Sequence, residues 1–337
     1  MAANTNLHKA KNAKNDEFYT QLTDVAKELM HYKHHFKDKI VFCNCDDPTW
    51  SAFWKYFHLN FEALGLKKLI STHYDKTEPT YKMEYTGGDD NDIEVGVKTP
   101  LEGNGDFRNQ ECLDLLDEAD IVVTNPPFSL FREYVACLME HKKKFIIIGN
   151  KNSITYKEFF PLIKDDKVWI GYNSPSEFDT PDGMTKKVQG LCRWFTNLDI
   201  AKRHDKIIAW MSVKDGNFPK YENYNGIDIG RFNNKGNWQG DVSLIPVDYD
   251  GIMGVPVTFL DTYNPDQYEI VGCPDYTGLY GSDWLGIARI GETWIDKYRK
   301  QGGTGHYTAN MTSPVFYDGN GKACNTFKRV FIRRKVG

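Results

Sequence analysis

The chain has 337 residues, with 42 Lys+Arg against 46 Asp+Glu for a formal net charge of −4; 40% of residues are hydrophobic and 26% charged. This globular composition excludes global disorder and fibrous repeats, and the near-neutral total excludes a polybasic coat for nucleic acid. No apolar run approaches the ~18 residues of a membrane span, and the polar segment 1–16 lacks the apolar centre of a secretory signal.

The charge is uneven along the chain. Residues 1–185 hold 22 Lys+Arg and 30 Asp+Glu, a net of −8, while residues 186–337 hold 20 and 16, a net of +4. The seven cysteines are scattered and odd in number, which argues against a disulfide framework, so a reducing, cytoplasmic location is expected. Cys43 and Cys45 lie near His31, His34 and His35 but lack the paired spacing that zinc requires, and no metal is expected.

Leu22, Val25, Leu29 and Met30 are spaced for one apolar stripe on a helix over 20–35. Residues 39–45 (KIVFCNC) predict a buried strand, 50–65 an aromatic-rich helix ending at Gly65, and 67–74 (KKLISTHY) a second strand. The turn residues of 84–92 predict a hairpin tip. An acidic helix over 111–119 leads into DIVVTNPPF (120–128), then a helix over 131–143 and a strand over 144–150.

Such alternation predicts a parallel sheet covered by helices on both faces. Ligands of these sheets sit at the carboxyl ends of the strands. The polar clusters NCDDP, HYD, GDF and NPPF all fall at or after strands, which marks that edge as a site. Past Gly149 the pattern loosens. Residues 171–190 read as a loop, and strands are expected in LCRWFTNL (191–198), KIIAWMSV (206–213), VTFL (257–260) and YEIVG (268–272). In FKRVFIRRK (327–335) the alternation sets Val330 and Ile332 on one face, predicting a strand with a basic surface.

Asn125-Pro126-Pro127-Phe128 is the sharpest motif. An exocyclic aromatic amine or an amide nitrogen is a poor nucleophile because its lone pair is delocalised. The Asn125 amide oxygen and the Pro126 carbonyl are suited to accept its two N–H bonds and to favour the charge that develops during attack. Two prolines lock φ and bring no N–H to compete. Phe128 supplies a flat face for stacking a base.

This tetrad resembles the amine-binding motif of S-adenosylmethionine-dependent amino-methyltransferases. KNDEFYTQ (14–21) resembles the element that touches the cofactor's methionine end in adenine methyltransferases, with Gln21 in place of the usual Pro. Together with CNCDDP, its aromatic helix, and GVPVTFLDTYNPDQ, the chain resembles the EcoRI-type adenine-specific DNA methyltransferases over most of its length. That resemblance implies a Rossmann-like α/β methyltransferase sheet with helices on both faces, plus an irregular, strand-containing target-recognition region. It implies a core over 1–210 and a recognition region over 211–337, with core-completing strands near 250–272.

By the same resemblance S-adenosyl-L-methionine is the expected cofactor, held by Phe18, Tyr19, Thr20, Asp46, Asp47, Asp75, Asp106 and Phe107. The family's usual glycines are missing from the loop that carries Asp46 and Asp47. The expected reaction methylates an adenine flipped from duplex DNA. RNA adenine and protein glutamine methylation, or a catalytically idle DNA-binding relative, are the alternatives. Lys186, Lys187, Lys328, Arg329, Arg333 and Arg334 are the expected phosphate contacts. A restriction endonuclease acting on the same site is the partner such enzymes suggest, and the residues themselves are silent on it.

Overall fold

The runs Ile40–Cys43 and Ile121–Thr124 are buried at every position, as strands covered on both faces must be. They lie at the centre of an eight-stranded sheet in a computed structural model. The structure describes residues 19–75, 78–88, 95–180, 184–234, 236–274, 288–309 and 311–335. The chain divides into two units, residues 1–154 with 168–200, and residues 155–167 with 201–337.

The large sheet belongs to the first unit. Its strands are β1 (Ile40–Cys43), β2 (Lys68–His73), β3 (Tyr81–Tyr85), β4 (Val97–Pro100), β5 (Ile121–Thr124), β6 (Lys144–Asn150), β7 (Trp169–Ile170) and β8 (Cys192–Thr196). Their spatial order is β4-β3-β2-β1-β5-β6-β8-β7. The inner four strands, β2-β1-β5-β6, are parallel. Both edges are antiparallel, so the parallel sheet expected from the alternation is its centre alone. The β3–β4 pair is the hairpin expected around 84–92, although part of its tip (89–94) lies outside the described residues.

Helices α1 (Leu22–Leu29) and α2 (Ala52–Leu59) contribute Val25, Leu29, Phe53, Trp54 and Phe57 to one core, with Val41, Leu69, Val123 and Ile146 of the sheet. The alternate residues Phe42, Ile70, Val122 and Ile147 are buried too. Helices α3 (Gln110–Glu118) and α4 (Phe131–Glu140) pack on β1 and β6 respectively. Ser51 caps α2, its Oγ accepting the Phe53 and Trp54 N–H groups at 3.1 and 3.3 Å.

The α1 stripe is shifted from its expected register. Val25, Leu29, Tyr32 and Phe36 are buried, whereas Leu22 and Met30 are exposed. Asp24 and Glu28 displace them inward, because their carboxylates cap the backbone of 172–177. Glu28 accepts the Tyr172 and Asn173 N–H groups at 2.8 and 2.7 Å, and Asp24 accepts that of Ser176 at 2.7 Å. Burial pushes the Glu28 carboxyl up from its ordinary range. Residues 171–190, expected to be a loop, contribute two strands to a small antiparallel sheet of Tyr19–Thr20, Glu177–Asp179 and Thr185–Lys187.

In the second unit β9 (Ile227–Asp228), β10 (Met253–Pro256), β11 (Tyr268–Gly272) and β12 (Arg329–Arg334) form a sheet in the order β9-β10-β12-β11. The strands expected near 250–272 therefore belong to this sheet and not to the large one. β12 lies between two neighbours, and Val330, Phe331 and Ile332 are all fully buried, so it lacks the one-sided basic face its alternation suggests. KIIAWMSV forms no strand; only Met211 makes an isolated bridge, to Pro246. Among the described residues no helix is long and apolar enough to cross a membrane.

Candidate active site

Each of the polar clusters following β1, β2 and β5 is tied to a neighbour. After β1 the chain turns through Cys45, whose φ of 66° lies in the left-handed region that favours glycine. Asn44 Oδ1 accepts the Cys45 N–H at 2.9 Å and steadies the turn. Here the chain makes a glycine-type conformation without glycine. The turn sends Asp46 under β5 and Asp47 toward β2.

Asp46 is enclosed. Thr124 Oγ1 lies 2.5 Å from its Oδ2, Ser51 Oγ 3.3 Å from its Oδ1, and the Asn125 backbone N–H also donates to it. Burial pushes its carboxyl up to about 7, against the pull of those hydrogen bonds. The Ser71 hydroxyl of β2 donates to the Asp46 carbonyl. Asp47 is tied to β2 and β3: its Oδ1 accepts the Tyr81 hydroxyl at 2.9 Å and the Thr49 N–H at 2.9 Å, and His73 Nδ1 is 2.8 Å from its Oδ2.

Asp75, half-buried past the end of β2, caps the Glu78 N–H at 3.1 Å and donates its own N–H to Asn104 O at 3.2 Å. That second bond joins the β2 loop to the segment carrying Gly105, Asp106 and Phe107. Gly105 has a φ of 73°, and a Cβ there would stand 2.2 Å from His73 O. Only glycine allows this approach.

Arg108 grips Asp106 with two bonds, Nε to Oδ1 at 2.8 Å and Nη2 to Oδ2 at 2.6 Å, and reaches Glu133 at 3.0 Å. The guanidinium bonds hold the Asp106 carboxyl below its ordinary range. Phe107 is buried, its ring edge-on to Tyr134 with centroids 5.0 Å apart.

The tetrad leaves β5 directly. Pro126 is buried, Asn125, Pro127 and Phe128 half-buried, and Pro127 O accepts the Leu130 N–H at 2.9 Å as the chain enters α4. The Phe128 ring lies 6.3 Å from that of Phe178. Phe178 is the register partner of Thr20, so the small sheet brings the Tyr19–Thr20 element beside the tetrad. The Tyr19 and Trp50 ring centroids lie 3.9 Å apart with the planes tilted at 47°, and Thr20 Oγ1 is enclosed with no hydrogen-bond partner among the described residues. Phe18 lies outside the described residues. Thr124, Tyr81, Arg108 and Phe178 were not singled out in the sequence. Adjacency to a motif could have flagged Thr124 and Arg108; Phe178 carries no local signal.

The basic residues scatter. Lys186 and Lys187 are exposed on the outer strand of the small sheet. Lys328 is exposed and donates to Thr155 Oγ1 at 2.7 Å. Arg333 pairs with Glu269 at 2.5 Å, and half-buried Arg334 donates to Pro246 O at 2.9 Å. Arg329 is a correction: it is 2% exposed, with Nε 2.8 Å and Nη2 3.1 Å from the Asp228 carboxylate. Trp238 Nε1 (2.5 Å) and the Tyr221 hydroxyl complete that buried cluster. Its charge is spent inside the second unit, out of reach of phosphate. No group of three or more metal-ligating side chains is gathered among the described residues.

Three relatives are similar over most of their length. Type II methyltransferase M.EcoRI of Escherichia coli is 42% identical over 301 residues, covering 80% of this chain and 89% of that protein. Type II methyltransferase M.MpnI of Mycoplasma pneumoniae is 37% identical over 292 residues, 79% and 85% of the two chains. Type II methyltransferase M.MgeORF184P of Mycoplasma genitalium is 36% identical over 290 residues, 79% and 86%. No solved structure matches the chain. Residues 6–335 match the family described as adenine-specific methyltransferase EcoRI, and the chain belongs to that family.

Proposed function

We propose that this adenine-specific DNA methyltransferase uses S-adenosyl-L-methionine to methylate the exocyclic amine of an adenine rotated out of a specific duplex sequence. The observation that carries the reading is the tetrad at the carboxyl end of β5, tied through Thr124 and the Asn125 N–H to Asp46 in the loop after β1. Asn125 Oδ1 and Pro126 O accept the two amine N–H bonds. That draws the nitrogen toward the tetrahedral form whose lone pair can attack. Phe128 stacks on the base. Asp46 serves as the strut that holds Asn125 in place.

The donor set suits the cofactor. Asp75 and Asp106 offer carboxylates for hydroxyl and amine donors, and Arg108 occupies only part of the acceptor capacity of Asp106. Thr20 Oγ1 supplies an unmatched polar atom on the Tyr19–Thr20 element. When bound, S-adenosylmethionine supplies an electrophilic methyl group on a sulfonium. Tyr19, Trp50 and the carboxylates provide surroundings that tolerate that cation. The large sheet acts as the Rossmann-like methyltransferase core, and the second unit reads the DNA sequence.

Labelled S-adenosylmethionine tests this with three acceptors: genomic duplex DNA, total RNA and cell protein. Label in adenine of the duplex is the expected result. Label confined to RNA or protein, or no transfer at all, rejects the reading.

A further inference from the structure

An ionised carboxylate has about four lone-pair positions, and the fold that fills some of them decides which donor it can still take. At Asp106 three are filled from a single residue. Oδ1 accepts the Arg108 backbone N–H at 3.0 Å and Arg108 Nε at 2.8 Å, and Oδ2 accepts Arg108 Nη2 at 2.6 Å. Among the described residues the position left over is on Oδ2. The main chain there is fixed as well. Asn104 Oδ1 accepts the Asp106 N–H at 3.1 Å and Asn109 Nδ2 at 2.8 Å, and Asp106 O accepts the Asn109 N–H at 2.9 Å.

Arg108 is held at its far side too. Its Nη1 donates to Glu133 Oε2 at 3.0 Å, and Glu133 lies in the first turn of α4. Its guanidinium carbon stands 5.2 Å from the centroid of the Phe107 ring, which is buried against Tyr134 of the same helix. A lone ion pair at a surface contributes little. This one is bidentate and braced by a second carboxylate, and a planar fork of that kind fixes direction as well as charge.

We propose that Arg108 is a positioning residue for cofactor recognition: by occupying both oxygens of Asp106 it leaves one acceptor position, on Oδ2, for one N–H of the cofactor's adenine amine. The inference rests on the reading above in which Asp106 is a cofactor carboxylate. Arg108 then acts through the amine alone, so a ligand without that amine gains nothing from it. A guanidinium that merely steadied the fold, or lent general positive charge, would affect both ligands alike.

The test is calorimetric titration of the full chain with S-adenosylhomocysteine and with its 6-deamino analogue, in which hydrogen replaces the amine. Neither carries a methyl group to transfer, so binding is read apart from turnover. Wild type is expected to prefer the amine-bearing ligand about ten-fold. Arg108→Ala is expected to lose most of that preference by weakening the amine-bearing ligand alone. Arg108→Lys keeps the charge without the fork and is expected to behave like Arg108→Ala. Both variants should melt with wild type, since the Arg108 side chain is half-exposed. Equal weakening of the two ligands by Arg108→Ala, an undiminished preference, or full recovery in Arg108→Lys would overturn the proposal. A wild-type protein that binds the two ligands equally would remove Asp106 from amine recognition as well, and one that binds neither would reject the cofactor reading itself.

Discussion

Thr124, the last residue of β5, meets Asp46 in the loop after the adjacent strand β1, with Thr124 Oγ1 2.5 Å from Asp46 Oδ2. The same hydroxyl contacts the Asn44 carbonyl, and it has one proton to give. That proton is shared between the Asn44 carbonyl and the Asp46 carboxylate, so Thr124 only partly offsets the cost of burying the charge. That agrees with a carboxyl pushed up by burial to about 7. The folded pKa lies above the unfolded value, so the stabilisation is complete below the unfolded pKa and is lost as pH rises through about 7. In cofactor-free protein, urea denaturation should show Asp46 removing roughly 1.4 kcal/mol of stability per pH unit between pH 5 and 7. Asp46→Asn, whose amide can donate to Thr124, should flatten that slope. Parallel pH profiles for wild type and variant would rule the linkage out.

Asn125 separates chemistry from architecture. Its backbone N–H supports Asp46, and its side-chain oxygen is the proposed acceptor for the amine. Asn125→Ala keeps the first and removes the second. Single-turnover methylation should fall by about 100-fold or more, while S-adenosylmethionine affinity by calorimetry changes little. Retained turnover would remove Asn125 from the reaction.

Gly105 is where the GDF segment crosses the end of β2. Its left-handed φ and the 2.2 Å approach of a Cβ to His73 O both resist a side chain. Gly105→Ala should cost about 1–3 kcal/mol and weaken cofactor binding by displacing Asp106 from Asp75. A variant with wild-type denaturation midpoint and cofactor affinity would contradict the crossing described here.

Arg329 belongs to the interior. Removing it strands the Asp228 carboxylate, and Arg329→Ala should destabilise the protein by about 3–5 kcal/mol. Arg333→Ala, by contrast, removes half of an exposed pair with Glu269 and should shift stability by less than about 1 kcal/mol. Equal effects of the two substitutions on the denaturation midpoint would be incompatible with the buried cluster.

The sequence was most legible where local pattern and burial agree. The apolar runs at Ile40–Cys43, Lys68–His73, Ile121–Thr124 and Lys144–Asn150 all became neighbouring parallel strands. It misled where the partner is remote. Tyr19–Thr20 gains its strand only from residues near 178, and Arg329 its burial only from Asp228, 101 residues away. The basic alternation of 329–334 read as a surface because nothing local reports that a strand lies on each side of it. The missing glycines after β1 were visible, but not that Cys45 would adopt the left-handed turn in their place. Of the site, the carboxylates and tetrad were legible as residue types at strand ends; the cross-links through Thr124, His73 and Arg108 depend on the folded sheet.

Long-read sequencing sensitive to modified bases, on DNA from cells expressing either the wild-type chain or Asn125→Ala, tests the central claim most directly. The account predicts methylated adenine at one defined sequence with the wild type and none above background with the variant. Unmodified adenine in the wild-type sample, or the same methylated sites in both, would contradict it.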